Sequence, residues 1–137
     1  MVATDQFLSL AHELADAAGA AIRPHFRQAI AVDDKADPAK GQQTAKVCLQ
    51  CHTFDKGGAN KIGPNLFGVM EENIASIANY QFSAALAAHK SEKWDPNKLN
   101  VWLFKPQEFA KGTKMAFPGL PKPQDRADVV AYLESLK

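Results

Sequence analysis

The 137-residue chain holds two cysteines, too few for a disulfide framework or for a structural zinc site built on four thiolates. No uninterrupted apolar run is long enough to span a bilayer, so no transmembrane segment is expected. Neither sign of charge is in excess. Sixteen basic residues against fifteen acidic ones give no reason to expect nucleic acid or a membrane surface as partner. No stretch alternates apolar and polar residues with the period of a strand, and there is no internal repeat. The opening Met1-Val-Ala-Thr-Asp5 lacks a basic region and does not read as a secretory signal. What remains is an ordinary globular composition, 46% apolar and 23% charged, in a chain able to bury a core without staples.

Helical patterns dominate what is there. Phe7, Leu10, Leu14, Ala18 and Ile22 recur at helical spacing behind a cap at Thr4 or Asp5, and Pro24 kinks or ends that helix. Ala31–Pro38 is polar and turn-rich, a linker. The chain therefore divides into residues 1–36, an N-terminal amphipathic helix and linker, and a domain over 37–137. In the domain a helix is predicted from about Pro38 into the Cys48 region, with proline in its first turn. Phe82–His89 suits a short helix. Asp95-Pro96 can open another, with Leu99, Trp102 and Leu103 inward and a stop before Pro106. Gln124 or Asp125 opens a last helix in which Val129, Tyr132, Leu133 and Leu136 share a face. Residues 53–68 and 105–123, rich in glycine and proline, read as long loops. The fold class is all-α. Loops of this length usually carry function, and the space they enclose invites a cofactor as part of the core.

Both cysteines fall in Cys48-Leu49-Gln50-Cys51-His52, the spacing for covalent attachment of a c-type haem. Two thiols about one helical turn apart can each form a thioether to a vinyl group of the same porphyrin. The adjacent imidazole then lies under the ring and ligates the iron. A thioredoxin-like reading needs a βαβ context that is missing. A two-Cys, two-His zinc site could recruit His52 and His89, but nothing near His89 has paired-ligand spacing. A disulfide between Cys48 and Cys51 leaves the long loops unexplained.

An iron held by one histidine has a second axial position. A methionine thioether there favours the reduced iron and raises the potential. Of Met1, Met70 and Met115, the last lies far enough from His52 for the chain to wrap round a haem. The alternative for Met115 is a gap-filling core residue.

Residues 39–137 resemble a class I cytochrome c of the mitochondrial and α-proteobacterial kind. The stretches that carry the resemblance are Cys-Leu-Gln-Cys-His-Thr (48–53), Lys-Gly-Gly (56–58), Gly-Pro-Asn-Leu-Phe-Gly (63–68), Gly-Thr-Lys-Met-Ala-Phe (112–117) and Arg-Ala-Asp-Val-Val-Ala-Tyr-Leu (126–133). The resemblance implies a class I cytochrome c fold with haem-wrapping loops and one covalent haem c. It makes Cys48 and Cys51 the thioether residues, His52 the proximal ligand and Met115 the distal one. It further implies that the Pro64 carbonyl accepts the Nδ1–H of His52. Trp94 would bond a haem propionate, Thr113 would lie near a propionate, and Gly41 would meet Val129 and Tyr132 where the first and last domain helices cross. There are departures. Val69-Met70-Glu71-Glu72 offers no propionate-binding cation, Trp102 stands where a tyrosine bonds the methionine sulfur, Lys111 replaces a proline, and Ala45 a bulky residue.

Function follows as an expectation: single-electron transfer with no open iron site for substrate. Lys46, Lys56, Lys61, Lys114 and Lys122 would ring an exposed haem edge and orient an acidic redox partner. The family suggests a terminal oxidase or a bc1-type complex as partner, and the periplasm or intermembrane space as location. The rival reading is a labile Met115, whose departure would give a peroxidase or a small-gas binder. A third, an interaction module without haem, applies if the chain is made where haem-attachment machinery is absent. Residues 7–27 are similar to the first helix of the inositol monophosphatase family, but that family's metal-binding carboxylate motifs are absent, so no phosphatase activity is implied. A gene fusion, an upstream frame joined to the domain, a mis-called start, or a helix that docks on a neighbour would account for it. His12 and His25 read as surface or packing residues.

Overall fold

The computed structural model describes residues 36–137. The helix expected over Phe7–Ile22, its end at Pro24, His12, His25 and most of the linker lie outside the described residues.

Helix α1 (Pro38–Thr44) starts where Asp37 accepts the backbone N–H groups of Ala39 (2.9 Å) and Lys40 (3.3 Å), with Pro38 pre-setting the first turn. The predicted helix into the Cys48 region is divided: the α-helix ends at Thr44 and tightens into a 3₁₀ helix, Ala45–Gln50. After a long loop and a 3₁₀ turn at Val69–Glu71 come α2 (Ala84–Ala87), capped by Ser83, and α3 (Pro96–Phe104), capped by the Asp95 side chain. The segment 105–123 is not loop throughout, because α4 (Pro106–Phe109) forms inside it. Proline supplies the helical φ at its start, and Phe109 packs on Trp94 and Trp102 at its end. The last helix, α5 (Pro123–Ser135), begins one residue before the expected Gln124 because Pro123 takes the first position. Lys122 precedes it with no side-chain cap. Among the described residues there is no strand, only an isolated bridge between Asn73 and Lys93.

The molecule is held together by α1 crossing α5. A Cβ on Gly41 would run into the Asp128 carbonyl and come within 2.9 Å of Tyr132 Cβ, so only glycine permits the approach. The expected crossing is present, with Asp128 rather than Val129 as its nearest neighbour. Asp128 also accepts the Asp37 N–H at 2.9 Å, tying the entry of α1 to α5. Behind the crossing, Leu99, Trp102 and Leu103 of α3 meet Val129, Val130 and Leu133 of α5 in one apolar core.

A buried cation secures the remaining loop. Arg126, 1% exposed, donates from Nε to Asn100 Oδ1 (2.8 Å) and from Nη1 to the carbonyls of Leu120 (2.7 Å) and Pro121 (3.0 Å). Its guanidinium also lies over the Phe104 ring. Burial lowers its pKa and neighbouring Asp125 opposes that, but an arginine starts so far above neutrality that it stays charged.

Candidate cofactor site

The 3₁₀ helix carries Cys48 and stops at Gln50, with Cys51 as the residue that ends it. The Cys51 and His52 N–H groups both donate to the Cys48 carbonyl, at 3.0 and 2.8 Å, and the turn they close places His52 inside the molecule at 8% exposure. Its Nδ1 lies 2.7 Å from the Pro64 carbonyl. A carbonyl can only accept, so Nδ1 carries the proton and Nε2 is the ring's free nitrogen. Gly63 lies against the face of this ring with no room for a side chain. Burial pushes the His52 pKa down, nearby Lys61 adds to this, and the Pro64 bond opposes it. The imidazole is therefore neutral near pH 7, the form that binds metal.

His52 forms part of the wall of a largely apolar cavity of about 430 Å³. Cys48, Cys51, Pro64, Trp94, Thr113 and Met115, the remaining predicted site residues, all line it. Residues far apart in sequence thus converge on one space. Both cysteines are free thiols, so the disulfide alternative is not seen. Burial, with Cys51 adding, raises the Cys48 pKa, the opposite of what a redox-active CxxC thiol requires. His89 pairs with Glu92 and packs, tilted, against the Phe109 ring. Among the described residues no group of three or more His, Cys, Asp or Glu could hold a metal ion, which leaves the zinc alternative without a site.

The apolar walls carry polar atoms without partners. The indole N–H groups of Trp94 and Trp102, both 8% exposed, donate to no described residue. Trp102 therefore does not bond the Met115 sulfur in this structure. Buried donors of this kind, a free imidazole nitrogen and two thiols around one apolar space fit a flat apolar macrocycle with polar edges and a central metal.

The sequence singled out the residues that line this cavity but not those that support them. Gly63, Gln107 and Arg126 were given no role: Gly63 and Arg126 were visible only as the starts of family stretches, and Gln107 bonds a turn whose shape the sequence does not show.

An all-helical fold that wraps long loops round an apolar cavity, with CxxCH at its wall, defines a c-type haem protein. The chain belongs to the cytochrome c family, whose model matches residues 38–137. It is 47% identical over 100 residues to a cytochrome c homolog of Rickettsia bellii, covering 73% of this chain and 57% of that protein. The chain thus spans little more than half the length of that relative. Cytochrome c of Gossypium barbadense is 44% identical over 110 residues, covering 80% of this chain and 95% of that protein. Among solved structures, cytochrome cH from Methylobacterium extorquens superposes with a TM-score of 0.67 at 37% identity, covering 73% of this chain and 99% of that one. The class I cytochrome c fold is thereby shown, and with it a family that binds haem c covalently.

Proposed function

We propose that residues 37–137 form a one-electron carrier in which Cys48 and Cys51 tether a single haem c and His52 Nε2 and Met115 supply the axial ligands. The observation that carries this reading is the convergence of all four residues on one cavity, with His52 Nδ1 already committed to Pro64. When bound, haem supplies an iron centre that exchanges one electron between its ferric and ferrous states.

The chain's own residues do the rest. Pro64 fixes the tautomer and orientation of His52 and raises its basicity as a ligand. The apolar walls from Leu99, Leu103, Val129 and Leu133 exclude water, which disfavours the more highly charged iron and raises the potential. Trp94 and Thr113 stand at the wall as donors for the propionates. With His52 and Met115 both holding the iron, the site would leave no room for substrate there, and the protein would act as a carrier. Lys46, Lys56, Lys61, Lys114 and Lys122 are all exposed and give an acidic redox partner an orienting rim. A terminal oxidase or a bc1-type complex is the partner class, in the periplasm or intermembrane space. No helix among the described residues is long and apolar enough to cross a membrane.

The missing bond between Trp102 and Met115 favours the second reading, a labile methionine with peroxidase or gas-binding chemistry. Spectroscopy and peroxide turnover separate the two. The carrier predicts a far-red methionine–iron charge-transfer band in the oxidised protein, lost in Met115→Ala, and peroxide turnover only in that variant. Peroxide turnover by the folded wild-type chain would decide for the second reading.

A further inference from the structure

The loop that carries Met115 is fastened at both ends. At its far end Arg126 holds the Leu120 and Pro121 carbonyls, and the Leu120 N–H donates to the Leu103 carbonyl at 2.7 Å. At its near end Lys114 Nζ donates to the Gln81 carbonyl at 3.1 Å and the Met115 N–H to Thr113 Oγ1 at 3.5 Å, while the turn just before them is closed by one exposed side chain. Gln107 Nε2 donates to the Thr113 carbonyl at 3.1 Å, and its Oε1 accepts the Gly112 N–H at 3.0 Å. The amide cannot be reversed, because a backbone N–H only donates and a carbonyl only accepts. The Thr113 N–H donates to the Ala110 carbonyl at 3.0 Å, so residues 110–113 are folded back onto α4 just before Met115.

Gln107 stands on a rigid base. Phe109, two residues on in the same helix, stacks on Trp94 at 5.6 Å between ring centroids and meets Trp102 edge-on at 5.8 Å. The turn it closes has little restraint of its own. Gly112 adopts φ +93°, open to glycine, and Lys111 is exposed with an N–H that donates to no described residue. Without the Gln107 amide, nothing else in the turn holds Gly112, and Thr113 keeps a single backbone bond.

We propose that Gln107 is a positioning residue for Met115: by closing the 110–113 turn from both sides it keeps the thioether in the cavity. This rests on the assignment of Met115 as distal ligand. Lys111 leaves the turn dependent on that side chain, because a proline there would restrict the backbone directly.

The test is an imidazole titration of the oxidised, haem-loaded chain. Imidazole reaches the iron only when Met115 has left, so its apparent affinity scales with the fraction of molecules in which the loop is open. Gln107→Leu is expected to bind imidazole about fivefold more tightly, the effect of losing two partly exposed neutral hydrogen bonds. Adding Lys111→Pro should recover most of that change, since the Lys111 N–H has no bond to lose. In a Met115→Ala background, Gln107→Leu should change nothing. Unaltered affinity in Gln107→Leu, no recovery with proline, or the same rise in the Met115→Ala background would overturn the proposal. Equal imidazole affinity in the wild-type chain and Met115→Ala would instead remove the ligand assignment itself, and the proposal with it.

Discussion

Gly63 lies flat against the imidazole of His52, so close that a Cβ built on it would collide with Cε1 and come within 2.6 Å of Nδ1. The ring cannot retreat without giving up the Pro64 carbonyl that orients it. Gly63→Ala is therefore expected to shift the ring and to destabilise the haem-loaded protein by about 1–3 kcal/mol, the usual range for overpacking. Denaturant unfolding measures the cost. A displaced His52 ring resonance in the proton NMR spectrum of the oxidised protein would report the shift. An unchanged spectrum would show that the contact does not position the ligand.

The helix crossing gives a second prediction, independent of the cofactor's electronics. At Gly41 even one methyl group meets the backbone of Asp128, which belongs to the interior of α5 and has no freedom to move aside. Gly41→Ala should cost about 3 kcal/mol or more, at or beyond the upper end of overpacking. The shape of the visible spectrum should survive in whatever fraction folds. Urea midpoints compared with the wild-type chain check it.

Arg126 gives a third. Replacing it with methionine keeps much of the stem volume but removes the charged donor from Asn100 Oδ1 and from the carbonyls of Leu120 and Pro121. The expected loss is about 2–3 kcal/mol, because bonds to a charged donor are worth more than neutral ones. Arg126→Lys, which can reach fewer acceptors, should fall between the two proteins. Hydrogen exchange at the Leu120 amide, bonded to the Leu103 carbonyl, should speed up before that of α5.

Much of this molecule was legible in its sequence, and the reason is local chemistry. Pro38, Asp95-Pro96 and the apolar spacing of α3 and α5 announce their helices within a few residues of chain. CxxCH is contiguous, so a covalent haem c could be expected from it directly. Met115 could be chosen only by distance along the chain and by resemblance. The short helix α4 was missed because four residues carry no period, and its stability comes from Phe109 packing on Trp94 and Trp102. The roles of Gln107 and Gly63 depend on backbone shape rather than on residue pattern. Gln107 acts on the 110–113 turn a few residues on, and Gly63 on a ring that the turn after Cys48 brings against it.

The central claim is that Cys48 and Cys51 bind one haem covalently, with His52 and Met115 as axial ligands. The most direct test is the visible and far-red spectrum of the purified chain after acid–acetone extraction, recorded oxidised and then reduced with dithionite. The account predicts that the colour resists extraction, that reduction gives sharp c-type bands, and that the oxidised protein shows the methionine–iron band. A colourless protein from a host able to attach haem would contradict it.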